Sequence, residues 1–84
     1  LSIKVIVYTQ PTCPPCHEEK NWLTEHGIAF EERNIRANDA YFSEAINLGA
    51  HSTPVTLIEK NDSERKVIHG FDKDALKDVL GIAE

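Results

Sequence analysis

Gln10-Pro11-Thr12-Cys13-Pro14-Pro15-Cys16-His17 is the stretch that decides the reading of this chain. It follows Ile3-Lys4-Val5-Ile6-Val7-Tyr8, a short, β-branched and nearly continuous apolar run of the kind expected in a strand covered on both faces. The prolines fit the first turn of a helix, because the N–H they lack has no intrahelical partner there. The stretch therefore reads as a loop that becomes a helix. That helix should run to His26 with Cys16, Trp22 and Leu23 turned inward, and Gly27 before Ile28 reads as a left-handed cap.

This placement gives the two sulfurs different chemistry. Cys13 falls at the helix N-cap, where unpaired N–H groups and the macrodipole stabilise a thiolate. Only the thiolate attacks a disulfide, so Cys13 is the expected attacker. Cys16 lies one turn further in and more buried, placed to resolve the mixed disulfide. A cap side chain accepts from the second and third helical N–H groups, here at Pro15 and Cys16. Pro15 has none, so the stabilisation of Cys13 should be partial. Glu18 and Glu19, in the first helical turns, should favour the dipole while setting negative charge beside the site.

Composition frames this chemistry. Eighty-four residues are expected to form a single domain, 1–84. A content of 40% hydrophobic and 27% charged residues excludes a disordered chain. A net charge of −5 argues against a nucleic-acid partner, which needs a basic face. No apolar run approaches the roughly 18 residues of a membrane span, and no basic leader precedes an apolar stretch. Two cysteines are too few for a secreted disulfide framework. Redox chemistry or metal binding in the cytoplasm is the expectation.

Further along, Phe30 to Ile35 alternates weakly and carries Glu31, Glu32 and Arg33, which suits an edge strand. Asn38 or Asp39 can cap a second helix through Leu48, stopped by Gly49. Val55–Ile58 and Val67–His69 read as strands joined by a polar turn at Asn61-Asp62-Ser63-Glu64. Asp72 caps a last helix, with Ala75, Leu76, Val79 and Leu80 on one face and Gly81 at its end. Tyr8, Trp22, Phe30, Tyr41 and Phe42 fall on periodic faces and read as core or half-core. The order β-α-β-α-β-β-α makes the first two strands parallel and the last two an antiparallel hairpin.

Two other chemistries use the same letters. Cys13-Pro14-Pro15-Cys16-His17 fits the c-type haem attachment pattern, but the chain has no Met for the opposite axial position. Zinc needs four ligands, and His26, His51 and His69 lack zinc-type spacing from the Cys13, Cys16 and His17 group. No metal is expected, and His17 reads as solvent-facing.

With the motif so placed, the chain resembles the thioredoxin superfamily, and within it the small glutaredoxin-like branch, from Ile3 to about Leu80. Three marks carry the resemblance: Cys13-Pro14-Pro15-Cys16 after an apolar strand, Thr53-Pro54-Val55 opening the third strand, and Gly70-Phe71-Asp72 before the last helix. It implies an α/β, thioredoxin-like fold, with a four-stranded mixed sheet flanked by three helices. It further implies a redox-active Cys13–Cys16 disulfide and a cis Thr53–Pro54 bond that exposes the Thr53 backbone to an extended partner. Gln10, Thr12, Pro14, Pro15, Thr53, Pro54, Gly70, Phe71 and Asp72 would line the substrate.

The implied activity is thiol–disulfide oxidoreduction with no bound cofactor, by a monomer. Glutathione or thioredoxin reductase would be the external reductant, and a disulfide-containing protein such as ribonucleotide reductase the substrate. Gln10 stands where glutathione-binding glutaredoxins usually carry Lys, Pro15 where they carry Tyr, and Phe71 where they carry a second Gly. Gly-Phe before a capping Asp is more similar to the NrdH-redoxins, although those usually have Cys-Val-Gln-Cys and the upstream Lys. In glutaredoxins an acidic residue near Asp72 binds the γ-glutamyl amine, and Arg36 could meet a carboxylate. Some glutaredoxins instead share an iron–sulfur cluster between two molecules, through the equivalent of Cys13 and glutathione, which is the alternative activity.

Overall fold

The computed structural model describes residues 3–61 and 63–82. Seven elements follow in the expected order: β1 (Lys4–Thr9), α1 (Pro14–Glu25), β2 (Glu31–Asn34), α2 (Asp39–Asn47), β3 (Val55–Glu59), β4 (Arg65–His69) and α3 (Lys73–Leu80). The sheet order is β2-β1-β3-β4. β1 pairs parallel with β2 and antiparallel with β3, while β3 and β4 are antiparallel. The charged strand β2 does lie at an edge, where Glu31 and Glu32 stay exposed. Asp62, in the expected hairpin turn, lies outside the described residues.

Strand pleating divides the apolar residues between two layers, because successive side chains point to opposite faces. Val5, Val7, Ile58 and Ile68 pack with Trp22 and Leu23 of α1 and Leu76 of α3. Ile6, Tyr8, Val55 and Leu57 pack with Ala45 of α2 on the other face. β1 thus buries both faces, from Val5 through Thr9. Leu23 is fully enclosed, and truncating such a residue to Ala costs about 2–5 kcal/mol. α2 is also tied down by charge: Tyr8 Oη and Arg33 Nη1 both donate to Glu44 Oε1, at 2.9 and 2.6 Å.

The helix boundaries follow from their caps. Gly27 takes φ 69°, and the Ile28 N–H returns to the Leu23 carbonyl at 2.9 Å, ending α1. Asn38 caps α2 through the Ala40 N–H, and Asp72 caps α3 through the Ala75 N–H.

Two expectations fail in detail. Phe42 is 49% exposed, because the nine-residue α2 buries only Ala45 and leaves Phe42 and Ile46 on its outer flank. Glu19 is fully buried, whereas the sequence reading sets it with Glu18 as negative charge beside the site. It sits three residues after Cys16 and four before Leu23, hence on the inward stripe of α1.

Candidate functional site

Cys13 is the N-cap of α1, in extended backbone conformation (φ −142°, ψ 92°), and forms a disulfide with Cys16. Its sulfur accepts the Cys16 N–H at 3.2 Å. The helical prolines at 14 and 15 offer no N–H, so this single bond replaces the pair that a cap side chain can collect. Exposure separates the two sulfurs' residues: Cys13 is 6% exposed and Cys16 0%. Of the two, Cys13 is therefore the residue that keeps some exposure, and Cys16 keeps none.

The second half of the site comes from the loop before β3. The Thr53–Pro54 peptide bond is cis, as the resemblance implied, and Pro54 is buried. Thr53 Oγ1 donates to Cys13 Sγ at 3.3 Å, while Gln10 Nε2 donates to Thr53 Oγ1 at 3.1 Å. The Gln10 amide engages a lone pair of the hydroxyl, which leaves the hydroxyl proton to point at sulfur. Gln10 and Thr53 thus form a directed chain of donors that ends on Cys13 Sγ. Gly70 closes the far side: its N–H donates to the Pro54 carbonyl at 2.8 Å, with φ 78° turning the chain toward α3. A Cβ at Gly70 would meet no atom within 4 Å, so the positive φ rather than space is what calls for glycine.

The other expected residues divide between exposed rim and scaffold. Thr12 and Pro14 are exposed beside the disulfide, and Pro15 is half-buried. Phe71 is half-buried against the α1/α3 core, its ring edge-on to Trp22 with centroids 6.4 Å apart. With Glu18, Asn21, Trp22, Glu25 and Lys73 it lines a shallow groove. Asp72 caps α3. His17 is exposed, with Nε2 3.4 Å from the Pro11 carbonyl oxygen. Among the described residues, no group of three His, Cys, Asp or Glu side chains is arranged to hold a metal ion, and no helix is long and apolar enough to cross a membrane.

Two features were not anticipated. A cavity of about 170 Å³ opens beside Thr53, lined by Gln10, Ile35, Arg36, Phe42, Ile46 and His51 among others. It is mostly apolar, and Arg36 supplies its permanent charge. The other is the carboxyl of Glu19, which accepts the Thr56 hydroxyl through Oε2 and leaves Oε1 without a partner. Burial pushes its pKa up to about 7, with the Thr56 hydrogen bond opposing the rise. The shared helical stripe of Cys16, Glu19 and Leu23 was the available sequence signal.

Chemically, a capped sulfur with a fully enclosed partner one turn away can exchange disulfides and store two electrons. The comparisons agree with this chemistry. The Glutaredoxin family model matches residues 5–62. The glutaredoxin-like protein NrdH of Lactococcus lactis subsp. lactis is 40% identical over 58 residues, covering 69% of this chain and 78% of its own length. The global transcriptional regulator Spx of Enterococcus faecalis is 37% identical over 62 residues, covering 74% of this chain but only 41% of the regulator. In structure, a mutant of the thioredoxin-like protein BC3987 superposes with a TM-score of 0.85 at 31% identity, covering 95% of this chain and 97% of that one. NrdH-redoxin from Escherichia coli shares the fold, with a TM-score of 0.75 at 22% identity over 90% of this chain and 93% of its own. The chain belongs to the glutaredoxin family and is a thiol–disulfide oxidoreductase working through Cys13 and Cys16.

Proposed function

We propose that this oxidoreductase is a protein-disulfide reductant of the NrdH-redoxin type, recharged by thioredoxin reductase rather than by glutathione. Cys13 attacks the substrate disulfide, Cys16 displaces the product thiol, and the Cys13–Cys16 disulfide is returned to the dithiol by the reductase. The partner chain lies extended against the Thr53 backbone, as in strand addition. The cavity beside Thr53 takes the apolar side chain that flanks the partner's cysteine. Ribonucleotide reductase is the first substrate to test, and the cytoplasm, which keeps thiols reduced, is the compartment that suits the cycle.

The observation that carries this reading is the use made of Gln10. Its amide is committed to Thr53 and brings no positive charge to the cavity, where Arg36 is left among apolar side chains. Glutathione carries two carboxylates and an ammonium group, and a mostly apolar cavity with one Arg offers it little specific recognition. A protein segment with an apolar residue beside its cysteine fits better.

The test is to oxidise the protein and supply NADPH with thioredoxin reductase or, separately, with glutathione and glutathione reductase, counting free thiols over time. Reduction by thioredoxin reductase alone supports the proposal. Reduction by glutathione alone would make the chain a glutathione-dependent enzyme acting on glutathione mixed disulfides.

A further inference from the structure

We propose that Glu19 is the proton acceptor and donor for Cys16 during disulfide exchange. Four observations converge on it. Glu19 and Cys16 are both fully buried, and they stand three residues apart on one stripe of α1. Side chains so spaced on a helix are neighbours, with Cβ atoms about 5–6 Å apart. One carboxylate oxygen is fixed by Thr56, while Oε1 has no partner. A buried oxygen left unbonded is costly and rare in folded proteins. Cys16, on the same stripe, is likewise fully enclosed.

The strand β3 also links this carboxyl to the exchange site. Thr53, just before β3, donates to Cys13, and Thr56, within it, donates to Glu19. Cys13 and Glu19 are thereby both tied to the short segment from Thr53 to Thr56.

The surroundings leave proton traffic at this position to Glu19. On the same face of the sheet β1 offers Val5, Val7 and Thr9, β3 offers Thr56 and Ile58, and β4 offers Ile68 and the exposed Lys66. β2 offers Glu32, which is bonded to Thr9 and to Lys20 of α1. From α1, His17 and Glu18 are exposed; from α3, Leu76 is enclosed, while Asp74 and Asp78 are exposed and Lys77 lies at the margin. Burial and the Thr56 hydroxyl are what set the Glu19 carboxyl, raising it to about 7, where it can both take and return a proton near neutrality.

The step balances as follows. With the substrate joined to Cys13 as a mixed disulfide, the Cys16 thiol gives its proton to the Glu19 carboxylate. The resulting thiolate attacks Cys13 Sγ, forming the Cys13–Cys16 bond and expelling the second substrate sulfur, which is protonated from solvent. The two electrons gained by the substrate are those lost by the dithiol. In the return direction Cys16 leaves as a thiolate and recovers the proton from the Glu19 carboxylic acid.

The inference rests on the dithiol chemistry of the pair, and one experiment separates the two. Reduced protein is mixed with dithiobis(nitrobenzoate), and coloured thiol release is followed by stopped flow between pH 5.5 and 8.5. Attack by Cys13 gives the first phase and resolution by Cys16 the second. In the unaltered protein the second phase should rise through an inflection near pH 7 and then level. Glu19→Gln, which keeps the size and can still accept from Thr56, should slow the second phase about 10²-fold at neutral pH and abolish that inflection. Its first phase should change less than about threefold, a small effect beside the contribution of a general base. Thr56→Val, which removes the bond that favours the charged carboxylate, should move the inflection to higher pH, and it carries the test should Glu19→Gln fail to fold. An unchanged second phase with an unchanged pH profile in Glu19→Gln, or an unmoved inflection in Thr56→Val, would overturn the assignment. A missing first phase in the unaltered protein would overturn the dithiol reading itself, and the assignment with it.

Discussion

Thr53 donates its hydroxyl proton to Cys13 Sγ, and it is oriented to do so by Gln10. Under the proposed function, the residue whose backbone meets the partner thus also conditions the sulfur that attacks it. A hydrogen bond to a thiolate is charge-assisted and worth more than a neutral one. Thr53→Val removes the donor while keeping the shape. We expect its second-order rate toward a small disulfide at pH 7 to fall about 3–10-fold, the equivalent of about 1 kcal/mol, measured by the first phase of thiol release.

Pro15 withholds the N–H that would otherwise reach the cap sulfur, leaving Cys16 as the backbone donor seen. Pro15→Tyr restores a donor at the second helical position. More of Cys13 should then be thiolate in mildly acidic buffer, read as faster alkylation by iodoacetamide at pH 6 relative to pH 8. An identical pH profile in both proteins would refute the role given to the missing donor.

Glu19 makes stability depend on pH in an unusual direction. Its carboxyl is raised from an ordinary 4.5 to about 7 by burial. Between those values the folded chain holds a proton that the unfolded chain has released, so this group's contribution falls as pH rises through the window. Glu19→Gln has no such loss. Urea unfolding of the oxidised proteins should find the variant gaining on the parent from pH 4.5 to 8, by at most about 3 kcal/mol. A constant difference across that range would show that Glu19 is not held protonated by the fold.

Asp72 caps α3 through the Ala75 N–H. Asn caps as well as Asp, so Asp72→Asn should keep stability within a few tenths of a kcal/mol, roughly the spread between good caps. If glutathione is not the reductant, this loss of charge should leave reduction by thioredoxin reductase and the slow reaction with glutathione equally unaffected. A selective loss of the glutathione reaction would mean that Asp72 recognises the glutathione amine.

Much of this architecture could be read from local chemistry. The apolar run before Thr9, the caps at Asn38 and Asp72 and the stops at Gly27, Gly49 and Gly81 act over a few residues, so pattern locates them. The cis Thr53–Pro54 bond was different, since proline opening a strand is ordinary, and only the resemblance implied it. The burial of Glu19 is not what its residue type suggests, since glutamate is almost never fully buried, although the helical stripe through Cys16, Glu19 and Leu23 marks it. Phe42 was misread for the converse reason. Its apolarity suggested core, but α2 covers too little of the sheet to bury every apolar residue it carries. Both errors concern how much surface a neighbouring element covers, which depends on packing between distant segments.

The division of labour between the two cysteines is the centre of this account, and trapping tests it most directly. Cys16→Ser and Cys13→Ser are each mixed, reduced, with a disulfide-bonded protein, and covalent adducts are measured by intact mass. The account predicts a stable mixed disulfide through Cys13 in the Cys16→Ser protein and none in Cys13→Ser. An adduct through Cys16 in Cys13→Ser, with none through Cys13 in Cys16→Ser, would contradict it.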